Sequence, residues 1–182
     1  MNFLKSLTPP TLFLLILSTS CTPVYTYFTQ DLYQEQQWSE EDLQRVQFYT
    51  SKDIVLTRQI GTGESTITGG KIIIKNGQRH EKLVIPSGTP GVLVLMPTED
   101  RLAISFEDKD NDAFLMFGPN PDYGNRFALL AQDWEKEQGQ VHYKNNVYVV
   151  DAEYAYAALM VDLRKEGQDQ YATKSVKGRM IE

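Results

Sequence analysis

The sequence predicts a mainly β protein: a single antiparallel β-barrel or sandwich of about 8–10 short strands with one short N-terminal helix. From Asp53 onward, short runs rich in β-branched and aromatic residues alternate with turn residues, at a spacing of about 8 to 12 residues that is typical of all-β domains. The regularly alternating helices that would cover a parallel sheet are missing from the pattern. We therefore expect antiparallel strands whose edges are covered by closure or by packing of two sheets.

The composition is that of an ordinary globular protein. The chain has 182 residues, 18 Lys and Arg against 24 Asp and Glu, 41% hydrophobic residues and a single Cys. One Cys excludes an intramolecular disulfide and a multi-cysteine zinc cluster. The acidic balance argues against a general nucleic-acid binder, because such proteins neutralise phosphates with Lys and Arg.

Residues 1–20 have the layout of a secretory signal peptide. Lys5 precedes an apolar run from Leu12 to Leu17, and small residues follow up to Ser20. The apolar run is far shorter than the roughly 20 residues that a membrane-spanning helix needs. The only cysteine, Cys21, comes directly after it.

The sequence Leu17-Ser18-Thr19-Ser20-Cys21 resembles the lipobox of bacterial lipoproteins, with one departure. The Leu that usually stands three places before the cysteine is Ser18 here, and Leu17 lies one place further out. The resemblance implies cleavage before Cys21 and attachment of diacylglycerol to its sulfur. The alternative is a plain secretory signal cut near Ser20, which would leave a free exported thiol.

Two further segments are similar to uncharacterised Bacteroidota cell-envelope lipoproteins: Gln47-Phe48-Tyr49 and the corner from Gly88 to Val94. This resemblance carries no catalytic residues. It implies a cell-envelope protein that is held at the outer membrane by its lipid. Thr22 replaces the Asp of an inner-membrane retention signal, and residues 22–28 lack the acidic cluster of a surface-export signal, which favours the periplasmic face.

The mature chain then divides into a lipidated tether, residues 21–37, and a single β-rich domain, residues 38–182, that ends in a polar tail from Gly167. About 160 residues suit one domain with one core. In this domain Ser39 is a helix cap, and the acids at 40–42 lie at the positive end of the helix dipole. We expect the helix to end near Tyr49, and we interpret the acids as capping residues rather than as a catalytic cluster.

The β-favouring runs and their turns follow in chain order. Asn76-Gly77 predicts a tight hairpin turn. The run 92–96 is apolar on both faces and indicates a central buried strand, whereas the Pro, Gly and Asn residues of the loop 118–125 argue against a helix or a ladder there. Residues 152–165 fit either a helix or a strand, and their alternation favours a strand. Strands are predicted at residues 53–60, 64–68, 71–75, 78–85, 92–96, 101–107, 113–117, 126–134, 140–144 and 147–150.

Chemical motifs are scarce. His80 and His142 are the only imidazoles, and the GxSxG motif is missing, so we predict neither a hydrolytic triad nor a catalytic residue. Asp108, Asp110 and Asp112 alternate as in the first half of an EF-hand loop, but the sixth and twelfth positions lack the Gly and Glu that calcium loops carry. We interpret the segment as a solvated acidic turn, which leaves a weak calcium site open. No metal or cofactor is predicted.

Aromatic residues supply the remaining evidence. Tyr123 lies in the Pro- and Gly-rich loop, and Trp134 ends a strand beside Asp133 and Glu135. Rigid aromatic side chains contribute a large contact area at a low entropy cost. Tyr123 and Trp134 are therefore the candidate recognition surface, although the same rings would also suit the rim of a barrel.

These observations favour a non-enzymatic envelope lipoprotein, a β-rich binding or scaffolding module that is anchored through Cys21 and binds an envelope protein. The first alternative is a β-barrel lipoprotein that binds a small ligand or glycan, which a cavity of several hundred cubic ångströms would favour. The second alternative is a hydrolase of envelope polymers that works with Asp or Glu, which a buried pair of carboxylates in a cleft would favour.

Overall fold

The computed structural model describes residues 24–61, 71–75, 77–108, 110 and 112–163. The predicted signal peptide, Cys21, the predicted strand 64–68, Asn76 and the polar tail from Gly167 lie outside these residues. The described strands are β1 (Thr26–Tyr27), β2 (Phe48–Thr50), β3 (Ile54–Gln59), β4 (Lys71–Lys75), β5 (Gln78–Ile85), β6 (Pro90–Thr98), β7 (Arg101–Ser105), β8 (Phe114–Asn120), β9 (Arg126–Leu129), β10 (Gln132–Glu135), β11 (Gln138–Tyr143), β12 (Asn146–Asp151) and β13 (Leu159–Val161). The helices are α1 (Gln30–Gln36), α2 (Glu40–Leu43) and α3 (Ala152–Ala155), with a 3-10 turn at Pro121–Tyr123.

The strands form two antiparallel sheets, which confirms the predicted mainly β class in its sandwich form. The first sheet has the order β1-β13-β2-β6-β7-β8-β9, and the second has the order β10-β11-β12-β3-β5-β4. Neither sheet closes into a barrel. Two isolated bridges, Thr29 to Arg126 and Ala128 to Ala158, connect β9 with residues next to β1 and β13, at the opposite end of the first sheet. They do not form a continuous ladder.

One apolar core fills the space between the sheets. Along a pleated strand, successive side chains point to opposite faces of the sheet, so every second side chain can point into the core. Full burial of such a side chain stabilises the fold by about 1.5–3 kcal/mol. The largest fully buried side chains are Tyr143, Tyr148, Phe28, Phe48, Phe117, Phe127, Leu43, Ile54, Leu56, Leu102, Ile104 and Leu115.

The described part of the predicted tether belongs to the domain, so the boundary that we predicted at residue 38 is too late. β1 pairs with β13, and α1 begins at a cap where Thr29 Oγ1 accepts the Leu32 N–H at 3.1 Å. Phe28 is fully buried, with ring centres 4.8 Å from Phe127 and 5.3 Å from Phe48. A ring placed among core rings cannot leave without opening a cavity.

The predicted N-terminal helix is present but shorter than expected. Ser39 caps α2 as predicted: its Oγ accepts the Asp42 N–H at 3.2 Å, and the Asp42 carboxylate accepts the Ser39 N–H at 3.0 Å. The helix ends at Leu43 instead of near Tyr49, and Phe48–Thr50 forms β2. β2 pairs with both β13 and β6, so tertiary pairing overrides the local helical spacing.

The predicted strand count is too low, since the described residues contain 13 strands. Three of them, β1, β2 and β13, span only two or three residues, too few to show periodicity. The run 126–134, predicted as one strand, divides into β9 and β10, which lie in different sheets. The run 152–165, for which we favoured a strand, begins as helix α3 and continues as β13 after a short break.

Two smaller expectations are also corrected. β6 is central in its sheet, but it is not buried on both faces, because Val92 and Leu95 are exposed. The loop 118–125 does carry a ladder, since β8 runs to Asn120 and pairs Pro119 with Phe127 on β9. The ladder between β7 and β8 stops at Phe117, and a proline is tolerated where a strand lacks a second neighbour.

Candidate functional site

An open groove of about 380 Å³ lies where β8, β9, β10 and α3 meet. Its walls come from both sheets and from the helix that follows β12, so no single run of sequence contains it. We call it the aromatic groove. It is lined by Asn120, Leu129, Leu130, Ala131, Trp134, Ala152, Ala155 and Tyr156.

Large apolar side chains at this groove remain in contact with solvent. Trp134 is 46% exposed, Tyr156 44% and Leu130 36%. Single exposed apolar residues are common on protein surfaces, but three around one concave site form a patch of the kind that marks an interaction site. The aromatic groove is therefore a candidate binding site.

Trp134 is held in a defined orientation. Its Nε1 donates a hydrogen bond to the carbonyl oxygen of Ala131 at 3.1 Å. Its ring also packs against Gly139 of β11, where an added Cβ would meet the Trp134 Cε2 atom at 2.9 Å. The glycine therefore makes room for the indole, and the ring presents a fixed apolar surface to the groove.

The second predicted recognition residue, Tyr123, supports the groove from behind rather than lining it. Its ring centre is 5.5 Å from that of Tyr156, in a T-shaped arrangement. The guanidinium carbon of Arg126 lies 4.4 Å from the Tyr123 ring centre and 3.7 Å from that of Tyr27. The structure thus brings Tyr123 and Trp134 to one region: Trp134 lines the groove, and Tyr123 contacts the lining residue Tyr156.

An acidic cleft of about 710 Å³ adjoins the aromatic groove and shares Ala152 with it. The side-chain amide of Gln138 donates to Asp151 Oδ1 at 2.8 Å within this cleft. Four carboxylates and one lysine surround it. The lining residues are Glu135, Lys136, Glu137, Gln138, Asp151, Ala152 and Glu153.

The acidic turn considered for calcium has a protein cation beside it. Lys144 Nζ lies 3.0 Å from Asp110 Oδ2 and 2.8 Å from Glu107 Oε2. The Lys144 hydrogen bond lowers the pKa of Asp110, and the hydrogen bond to Glu107 raises the pKa of Lys144. Asp108 and Asp112 are exposed. Across the described ranges, no three His, Cys, Asp or Glu residues are grouped so that they could hold a metal ion.

The fully buried carboxylate of Glu81 faces a cation and a hydroxyl. Arg58 Nε donates to Glu81 Oε2 at 2.6 Å, and the Tyr148 hydroxyl donates to the same oxygen at 3.1 Å. Arg58 and Tyr148 thus stabilise the buried charge of Glu81, so a structural role explains its burial. The two histidines lie on strands, as predicted: His80 is half-buried on β5, and His142 is exposed on β11.

Sequence reasoning missed three parts of this region. Tyr156 lies in a run that we predicted as a strand, and Arg126 belongs to no motif. The acidic cleft joins residues of β10, β11 and α3 that are up to 18 positions apart in the sequence. The short sequence separation of Arg126 and Tyr123 was the one available signal, since an Arg guanidinium within reach of an aromatic ring is attracted to its face.

Comparison with protein-family models, with curated proteins and with solved structures finds no significant match to this chain. Among the helices of the described residues, none is long and apolar enough to span a membrane.

Proposed function

We propose that this protein is a non-enzymatic cell-envelope lipoprotein, a β-sandwich anchored through Cys21 that binds an extended segment of an envelope protein in the aromatic groove. The observation that carries the proposal is the groove itself, in which Trp134 and Tyr156 remain nearly half exposed, whereas the rings of the core, such as Phe117 and Tyr148, are fully buried. Trp and Tyr at the centre of a concave site are typical of residues that dominate binding energy.

The shape of the site supports a chain-like occupant. The aromatic groove is open to solvent and shares Ala152 with the adjoining acidic cleft, so the two hollows together suit a segment that lies across the surface. The ordered walls favour binding, since the Trp134 hydrogen bond and the ring contact between Tyr123 and Tyr156 are already formed in the free protein. Preorganisation of this kind reduces the entropy lost on association.

The proposed anchor lies very close to the domain. Val24, the first described residue, is three positions after Cys21, and three residues span at most about 11 Å. A lipid on the Cys21 sulfur would therefore hold the sandwich against the membrane surface. A diacylglycerol with a further acyl chain is a firm anchor, because each buried methylene contributes about 0.8 kcal/mol.

The test is a pull-down of the tagged protein from its own envelope in mild detergent, followed by mass spectrometry. Two variants address the two halves of the proposal. Cys21→Ala is expected to move the protein into the soluble fraction. Trp134→Ala with Tyr156→Ala is expected to leave it in the membrane but to lose the partner. The matched control is Val92→Ala with Val147→Ala, which shortens two exposed side chains on other strands.

Each outcome is decisive. A stoichiometric envelope protein recovered with the wild type and the valine control, and lost with the Trp134 and Tyr156 variant, supports the proposal. Recovery that is unchanged in that variant contradicts binding in the groove. Membrane retention of the Cys21→Ala protein contradicts the lipid anchor, and an empty wild-type pull-down contradicts a stable protein partner.

A second candidate function is glycan binding in the same groove. The observation that favours it is the half-exposed indole of Trp134, because an aromatic face beside a hollow of about 380 Å³ suits a sugar ring. Titration with defined envelope oligosaccharides would then change the fluorescence of Trp134, whereas Trp38, which is buried, serves as the internal control. A spectrum that is insensitive to every oligosaccharide rejects this candidate.

A further inference from the structure

We infer that the segment bound in the aromatic groove is basic: it places an apolar or aromatic side chain in the groove and Lys or Arg side chains in the adjoining acidic cleft. This inference rests on the proposed function and adds the chemistry of the partner. The aromatic groove adjoins the acidic cleft, and carboxylates surround the cleft.

The two hollows adjoin because they share the lining residue Ala152. On α3, Ala152 lines both hollows and Glu153 lines the cleft. An extended chain advances about 3.3 Å per residue. A segment whose apolar side chain occupies the groove therefore has its next few residues over the cleft.

The cleft carries a surplus of negative charge. Its lining contains Glu135, Glu137, Asp151 and Glu153 against Lys136. Within the described part of the chain, neither Glu135 nor Glu137 forms an ion pair. Carboxylates that lack a cation of their own are attractive to the Lys and Arg side chains of a partner, and complementary charge also speeds the encounter.

The remaining two carboxylates have polar partners that leave their charge in place. Asp151 accepts a hydrogen bond from the Gln138 amide at 2.8 Å, and Glu153 interacts with the hydroxyl of Tyr154. Neither partner is a cation, so neither cancels the charge of its carboxylate. The acidic cleft thus has four carboxylates and one lysine in its lining, with neutral partners at Asp151 and Glu153.

The test uses fluorescence anisotropy with defined probes and the full-length protein. The first probe is a fluorescein-labelled nonapeptide with one Trp flanked by three Lys. The second has Glu in place of the Lys, and the third has Ala in place of the Trp. We expect the first probe to bind more tightly than both others and to lose affinity as the salt concentration rises, because the charges are exposed to solvent.

Variants assign the binding to the two hollows. Glu135→Gln with Glu137→Gln is expected to weaken the Lys probe about fivefold, which is the sum of two exposed charge contacts. Trp134→Ala is expected to weaken it about tenfold or more. The matched control, Glu35→Gln with Glu99→Gln, removes the same charge from exposed residues that line neither hollow, so it should leave the affinity unchanged.

Three outcomes overturn the inference: equal affinity for the Lys and Glu probes, an equal loss in the Glu35 and Glu99 control, or displacement of the Lys probe by a neutral oligosaccharide alone. Self-association that Trp134→Ala abolishes would assign the groove to a second copy of this chain and overturn it as well. The proposed function has a separate readout, since an envelope partner that the pull-down recovers through the groove can prove to be acidic or neutral.

Discussion

The guanidinium carbon of Arg126 lies 3.7 Å from the ring centre of Tyr27, and this contact joins β1 to β9. The same guanidinium contacts Tyr123 at 4.4 Å, and Tyr123 contacts the groove residue Tyr156 at 5.5 Å. A row of rings and one cation thus connects the N-terminal segment with the wall of the aromatic groove. The N-terminal segment is for this reason a structural part of the binding region.

Replacement of Arg126 tests this connection. Arg126→Met keeps the length of the side chain and removes the cation, so it should lower the free energy of unfolding by about 1 kcal/mol through the loss of two cation–π contacts. Urea denaturation at equilibrium measures the change. Arg79→Met, at an exposed position on β5, is the control for the lost charge and should shift the midpoint little. An equal shift in both variants would show that the stacking contributes nothing.

Phe28 tests whether the segment before residue 38 belongs to the cooperative unit. Phe28→Ala should lower the free energy of unfolding by about 3–5 kcal/mol, because it opens a cavity among Phe48, Phe127 and Trp38. Val24→Ala should change it by less than about 0.5 kcal/mol, since Val24 is 61% exposed. Chemical denaturation of both variants gives the comparison. If Phe28→Ala is as mild as Val24→Ala, the segment is not part of the core.

The buried ion pair of Arg58 and Glu81 should show strong coupling. Glu81→Gln removes the buried carboxylate that accepts the Arg58 hydrogen bond and should cost about 3 kcal/mol, as broken buried pairs do. In the double variant with Arg58→Met, neither charge remains, so the total loss should fall short of the summed single losses by at least about 1 kcal/mol. A double-mutant cycle in urea measures this coupling, and simple additivity of the two losses would contradict it.

The Asp110 carboxyl should report its contact with Lys144. The Lys144 hydrogen bond keeps the pKa of Asp110 below its ordinary value of 3.8, so this group stabilises the fold above that value and loses its contribution as the pH falls through the lowered pKa. Lys144→Met should raise the pKa towards 3.8, as followed by carboxyl-detected NMR titration.

Asp42 is the internal control in that titration. Its pKa is also lowered, but by the hydrogen bonds to Ser39, so Lys144→Met should leave it unchanged and Ser39→Ala should raise it. A titration of Asp110 that does not respond to Lys144→Met would mean that the contact is not formed in solution.

The β-favouring runs that turn residues bound on both sides could be predicted almost to the residue. β4 and β5 begin and end where the residue pattern indicates, and the Ser39 cap follows from the local sequence Ser-Glu-Glu-Asp. Trp134 and Tyr123 could be proposed as recognition residues because their turn-rich or strand-end positions favour exposure. Each of these features depends on a few neighbouring residues, whose steric and hydrogen-bonding preferences act locally.

Other features depend on partners that are distant in the sequence. Phe48–Thr50 has the spacing of a helix end and becomes a strand because β13 and β6 supply its hydrogen bonds. The run 126–134 divides because the chain crosses from one sheet to the other after Leu129. Tyr156 becomes a groove residue only when α3 packs beside the end of β10.

The sequence by itself therefore determined the mainly β class and most strand positions, and it indicated the secretory and lipoprotein character of residues 1–21 as an expectation. Only the tertiary structure decided that the sheets form an open sandwich, that the N-terminal segment is part of the core, and that Trp134, Tyr156 and the acidic cleft form one surface. The physical reason is that backbone periodicity is a local property, whereas strand pairing and concave sites arise from contacts between residues far apart in the chain.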